Sequence, residues 1–164
     1  MRVVAPETRG EGSARPGCFP GLRRRRTAAA KKAKEFNALY EIKVSAHFDA
    51  AHFLRDYEGP CARMHGHTWR VEAAVAGEEL GRGQLLVDFH HLRSLLREVV
   101  SAFDHRCLNE LEPFTELSPT SENIARVVFR RLGEKLEGLP PGARLSWVSV
   151  AESPDTAVVY REEE

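Results

Sequence analysis

Two stretches decide the fold: Leu39-Tyr40-Glu41-Ile42-Lys43-Val44-Ser45-Ala46-His47-Phe48 and Thr68-Trp69-Arg70-Val71-Glu72-Ala73-Ala74-Val75-Ala76. In both, apolar side chains recur at every second position, which is the period of a strand buried on one face. In the second stretch Trp69, Val71, Ala73 and Val75 fall on the same face. Between the two lies Arg55 to Arg63, a loop marked by Gly59-Pro60. Gly77 to Gly83 reads as the turn that follows the second strand.

Further along the chain the period changes from two to that of a helix. Asp88 is placed to cap a first helix, because its carboxylate can accept from free backbone amides of the opening turn. Phe89, Leu92, Leu96, Val99 and Phe103 follow at helical spacing. A second helix begins near Thr120, after Pro119, with Ile124, Val127, Val128 and Leu132 on one stripe, and Gly138 to Gly142 ends it. Arg144 to Glu152 and Thr156 to Tyr160 are strands around the turn Ser153-Pro154-Asp155. The order β-β-α-α-β-β suits an α+β fold, a four-stranded antiparallel sheet with two helices on one face.

The 164 residues are 42% hydrophobic, enough for one domain with a core. Net charge is zero, but residues 1–34 hold ten Lys or Arg against Glu7 and Glu11. Residues 1–38 therefore read as a basic, disordered leader, and 39–164 as the domain; Ala28 to Glu35 has the composition for a helical turn or two. A nucleic-acid arm at Arg23 to Arg26 is the competing reading, and the leader's poverty in apolar residues favours plain disorder. Cys18, Cys61 and Cys107 are an odd count without a secretory signal, which speaks against a disulfide framework. No run approaches the ~18 apolar residues of a membrane span. The expectation is a soluble, cytoplasmic protein.

The chemistry concentrates between His47 and His67. His65-Gly66-His67 puts two imidazoles on one face of an extended chain, where both can reach one metal. His52 or His47 could supply a third nitrogen, and spacing alone leaves either open. Three protein ligands with an open position are the pattern of catalytic zinc. An isolated His-x-His is also common at ordinary surfaces. Cys61, four residues before His65, could be a base, a nucleophile or a fourth ligand closing the site, or an inert buried thiol. Asp104-His105 could form a proton relay, and Glu152 could accept two parallel N–H donors, although spacing alone favours a plain exposed acid there. His90 and His91, in a first helical turn, read as neutral surface or packing residues.

Phe48-Asp49-Ala50-Ala51-His52 and Cys61-Ala62-Arg63-Met64-His65-Gly66-His67 together resemble the zinc-binding start of the 6-pyruvoyl-tetrahydropterin synthase superfamily. Val87-Asp88-Phe89, Phe103-Asp104-His105-Arg106-Cys107-Leu108-Asn109 and Pro119-Thr120-Ser121-Glu122-Asn123 match its recurrent segments. The resemblance covers about Leu39 to Arg161, and the spacing Cys-x-x-x-His-Gly-His is similar to the bacterial 6-carboxytetrahydropterin synthase branch of queuosine biosynthesis. It implies a tunnelling fold whose subunits form trimeric barrels paired into homohexamers, with Tyr40, Phe48 and the strand edges as candidate contacts. It further implies that Zn2+ is bound by His52, His65 and His67, with His47 left out. Cys61 would carry a proton, Asp104 and His105 would form a second relay, and Glu152 would hold the pterin ring. Thr120 and Ser121 would add backbone contacts to the substrate, dihydroneopterin triphosphate. Ser153 stands where the family often has threonine. Two other readings remain: the pyruvoyl-forming sister activity, and a non-catalytic zinc-binding assembly module closed by Cys61.

Overall fold

The computed structural model describes residues 39–162. The basic leader and the helical turn expected at Ala28 to Glu35 lie outside the described residues. The first two strands are β1, Tyr40–His52, and β2, His65–Gly77. They pair antiparallel without a break, from Tyr40 opposite Gly77 to His52 opposite His65. Both strands run longer than their alternating stretches, and the added residues at the closed end carry the histidines. The loop between them contains a single 3-10 turn, Pro60–Ala62.

The first helix, α1, spans Phe89–Ser101. Asp88 caps it as its side chain accepts from the amides of His90 at 2.6 Å and His91 at 3.2 Å. Its buried face is Leu92, Leu96, Val99 and Val100. The expected stripe is shifted at both ends. Phe89 is 53% exposed, and Phe103 lies past the helix end, buried against Phe48 and Phe114. His90 and His91 are exposed.

After α1 the chain adds an element that alternation could not reveal: β3, Arg106–Cys107, two residues long and parallel to β1 at Ala50 and Ala51. A two-residue strand has no period to read, so the expected four-stranded, wholly antiparallel sheet becomes five-stranded and mixed. The second helix, α2, is Ser121–Gly133, with Thr120 as its cap accepting from the Asn123 amide. It ends at Gly133, ahead of the glycines at 138 and 142 expected to stop it. β4, Arg144–Ser153, and β5, Thr156–Tyr160, complete the sheet in the order β3-β1-β2-β4-β5.

One face of the sheet carries the core. Val44, Ala46 and Phe48 of β1, Trp69, Val71, Ala73 and Val75 of β2, and Val148 and Val150 of β4 are buried with the apolar faces of α1 and α2. Each fully buried large apolar side chain contributes about 1.5–3 kcal/mol. Phe48 stacks on Trp69 at 5.9 Å, so it is a core residue of the protomer and unavailable for subunit contacts. The core face does not stop at Phe48 and Trp69. It continues two residues on, to Ala50 and His52 on β1 and to His67 and His65 on β2, and there apolar packing gives way to imidazoles.

Candidate active site

The register of the β1–β2 hairpin assembles the histidines. His52 lies directly opposite His65, and His67 lies opposite Ala50, two residues back along β1. Directly opposed residues and residues two apart share a face, so all three rings project from the same side. Their centroids are 4.5, 4.9 and 5.3 Å apart, and one ligand nitrogen from each lies within 4.8 Å of the others. His47 has the opposite parity. It pairs with Arg70 on the exposed face and is not in the cluster.

Two of the rings are aimed from behind by carbonyls, and the third, His67, packs on Trp69. His52 is 1% exposed, and its Nδ1 lies 2.8 Å from the carbonyl of Pro119. A carbonyl can only accept, so Nδ1 carries the proton and Nε2 presents a lone pair. His65 Nδ1 is held in the same way by the Arg63 carbonyl at 2.7 Å. Trp69 lies beneath His52 and His67, with ring centroids 4.9 and 5.2 Å away, and donates its indole N–H to the Ala50 carbonyl. The Nε2 atoms of His52 and His67 are buried and have no hydrogen-bond partner. Burial lowers the pKa of His52 below its ordinary value, and the His65 ring adds to this, partly offset by the Pro119 carbonyl. A neutral ring with a fixed tautomer and an orphaned lone pair is the state in which imidazole binds a metal. These three side chains could hold one ion.

Two clefts meet at His67. One, of about 680 Å3, runs past Thr68 and Arg70 to Glu152 and the 153–157 turn. β4 bulges against β5 between Val150 and Ser153, and the extra residue falls at Ala151-Glu152. Bulges re-aim side chains beside functional sites. Here Glu152 Oε1 accepts from the Ser121 hydroxyl at 2.8 Å, and Oε2 lies 4.0 Å from His67 Nε2. Ser121 therefore reaches the site through its side chain, while the Thr120 hydroxyl serves as the helix cap.

The second cleft, of about 540 Å3, is lined by Asp49, His67, Thr68 and His105 among others. His105 Nδ1 is 3.0 Å from Asp104 Oδ2, and Asp104 Oδ1 accepts from the Asp49 amide at 2.9 Å. That amide, followed by His105, holds the Asp104 carboxyl below its usual pKa, so the carboxylate stays ionised. His105 adopts a left-handed φ of 54° and donates its amide to the Asp49 carbonyl at 2.6 Å. Cys61 sits half-buried in the 3-10 turn, with its carbonyl accepting from the Leu54 amide at 2.8 Å. Its thiol is not among the ligand atoms clustered at the three histidines.

Four contributors escaped the sequence reading. Asp49 organises the Asp104-His105 pair and accepts from the Thr68 hydroxyl at 2.5 Å. Its place inside Phe48-Asp49-Ala50-Ala51-His52 was the available signal. The Pro119 carbonyl is backbone, and no residue type announces it. Arg55 and Asn109 act on the loop behind His52 and had no partner visible in sequence.

The fold is a two-layer α+β sheet with a three-histidine cluster that could hold a metal at the open end of its core. The family model described as 6-pyruvoyl tetrahydropterin synthase matches residues 41–163, and the chain belongs to that family. It is 35% identical over 127 residues to the 6-carboxy-5,6,7,8-tetrahydropterin synthase of Bacillus subtilis, covering 74% of this chain and 85% of that one. A putative 6-carboxy-5,6,7,8-tetrahydropterin synthase of Archaeoglobus fulgidus is 37% identical over 114 residues, covering 70% and 89%. The structure of 6-pyruvoyl tetrahydropterin synthase from Caenorhabditis elegans superposes with a TM-score of 0.68 at 24% identity, covering 77% of this chain and 97% of that one. That likeness confirms the α+β tunnelling fold. The protein is a pterin-synthase enzyme, and the relatives it matches over most of its length are lyases. Among the described residues no helix is long and apolar enough to cross a membrane.

Proposed function

We propose that the protein converts 7,8-dihydroneopterin triphosphate to 6-carboxy-5,6,7,8-tetrahydropterin, releasing acetaldehyde and triphosphate, in the queuosine (7-deazaguanine) pathway of the cytoplasm. The observation that carries this reading is the His52-His65-His67 cluster, with its two orphaned Nε2 atoms, set between the Glu152 cleft and the Asp104-His105 pair. The Bacillus subtilis relative supports the carboxy product.

His52, His65 and His67 would hold zinc, which when bound supplies Lewis-acid polarisation of the substrate's side-chain oxygens. Glu152 would anchor the pterin ring by accepting its amide and amino hydrogens. A carboxylate has about four acceptor sites, so the Ser121 hydroxyl occupies one and orients the rest. The amide of Ser121 stands at the start of α2 beside this anchor, whereas that of Thr120 donates to the Ser118 carbonyl at 2.9 Å. Cys61 would take and return one proton. His105 would move the second, with Asp104 fixing its tautomer and steadying its charged form. Elimination of triphosphate and release of the two-carbon fragment as acetaldehyde then need proton transfers and the net addition of one water across the cleaved bonds, and no redox partner. The same reading extends to assembly, in which six copies complete the sites at their interfaces.

The purified protein incubated with dihydroneopterin triphosphate should yield acetaldehyde and the carboxy product by mass spectrometry. A pyruvoyl product without acetaldehyde would assign the sister activity instead. No turnover, with zinc lost on Cys61→Ala, would point to a closed structural site.

A further inference from the structure

The chain leaving β1 just after His52 is held on every side, and the holding converges on one arginine. The Phe53 amide donates to Asn109 Oδ1 at 2.9 Å, and Asn109 Nδ2 donates back to the Phe53 carbonyl at 2.9 Å. The Leu54 amide donates to the Cys61 carbonyl. The Arg55 amide donates to the Ser118 hydroxyl at 3.2 Å. The half-buried Arg55 guanidinium then donates to three carbonyls of one loop: Phe114 at 2.8 Å, Leu117 at 3.0 Å and Asn109 at 3.4 Å. That loop ends at Pro119, whose carbonyl holds His52 Nδ1. Asn123 closes the far side, donating its side-chain amide to the Ser118 carbonyl at 2.8 Å.

These contacts have one geometric consequence. Ser118 and Pro119 have no regular structure of their own, so the position of the Pro119 carbonyl depends on what clasps the loop. A guanidinium is suited to this because its donors are planar, fixed and always charged. An ammonium is a point donor and cannot span the same carbonyls. We propose that Arg55 is a positioning residue for the metal site: by clasping the 109–118 loop it sets the Pro119 carbonyl, which fixes the tautomer and direction of His52 and so the affinity for zinc. Arg55 touches neither metal nor substrate. This inference rests on the reading that His52, His65 and His67 hold zinc.

Outer partners of metal-bound histidines typically affect metal affinity by about 10–100-fold. The test uses the full-length protein and zinc competition against a chromophoric chelator. Arg55→Met should weaken zinc binding by that order, and Arg55→Lys by less. In the zinc-loaded parent the His52 Nδ1 proton should be a slowly exchanging imidazole resonance, and exchange should quicken in Arg55→Lys. Arg131→Met is the control, since Arg131 also holds a carbonyl of this region, Glu112, at 2.8 Å but lies outside the clasp. It should lower thermal stability and leave zinc affinity unchanged.

Arg55→Lys that folds, binds zinc as tightly as the parent and protects the His52 proton equally would overturn the inference while leaving the metal site intact. Equal zinc loss in Arg131→Met would overturn it too, because general loosening of the loop would then be the cause. A parent that takes up no zinc would overturn the metal reading itself, and this inference with it. Should Arg55→Met fail to fold, Arg55→Lys carries the test.

Discussion

At the scale of single residues, the site depends on His52 being neutral in a dry setting. Its pKa is lowered from 6.5, chiefly by burial. In the unfolded chain it returns to that ordinary value. Between the lowered folded pKa and 6.5 the unfolded state binds more protons than the folded one, so stability rises with pH across that window and falls as pH drops below 6.5. The melting temperature of chelator-treated protein should therefore decline as pH is lowered from neutrality through this range. His52→Gln should flatten that decline, and an unchanged slope would show that another group titrates. Cys61 is separate from the ligand cluster. Cys61→Ala should accordingly retain zinc by metal analysis while turnover falls roughly 10²–10⁴-fold, the span of general acid–base catalysis. Here the sequence was informative about residue types and weak about roles. His47 and His52 are equally good zinc ligands as letters, and only parity along β1 separates them.

At the scale of elements, two local features shape the site. The β1–β2 register makes three histidines converge because the side-chain period of a strand is two, and a slip of β2 by one residue would turn His65 and His67 away from His52. The bulge in β4 sets Glu152 against Ser121 at the start of α2. Glu152→Gln keeps an oxygen for Ser121 but loses the charge that strengthens hydrogen bonds from the ring. KM should rise with a smaller change in kcat, by about 1.5–3 kcal/mol in binding, on the order of 10–100-fold. An unchanged KM would remove Glu152 from substrate binding. The four longer strands, both helix starts and the Asp88 cap were legible, because period and capping are local. The two-residue β3 and the end of α2 were not, since short pairing and termination depend on contacts made elsewhere in the chain.

At the scale of the whole molecule, β3 and β5 are the sheet's edges among the described residues, and Leu39, Tyr40, Phe89 and Val159 are large exposed apolar residues. Unprotected edges and apolar exposure are features that association covers. Light scattering should report a hexamer, and a monomer with full activity would refute sites completed between subunits. Deleting residues 1–34 should leave that assembly, the zinc content and turnover unaltered; a loss of any of them would give the leader a part in the domain. The sequence by itself determined the order of the longer strands and the two α-helices, the single core face and most of the chemical residues, because alternation, helical period and residue type are properties of short windows. Residue spacing left His47 and His52 open, the family resemblance pointed to His52, and strand register brings His52 beside His65 and His67; tertiary structure alone decided that Asp49 organises Asp104 and His105, and that Arg55 stands behind Pro119. Each of these depends on strand register or on a contact across more than fifty residues of chain, and no local pattern encodes such a distance.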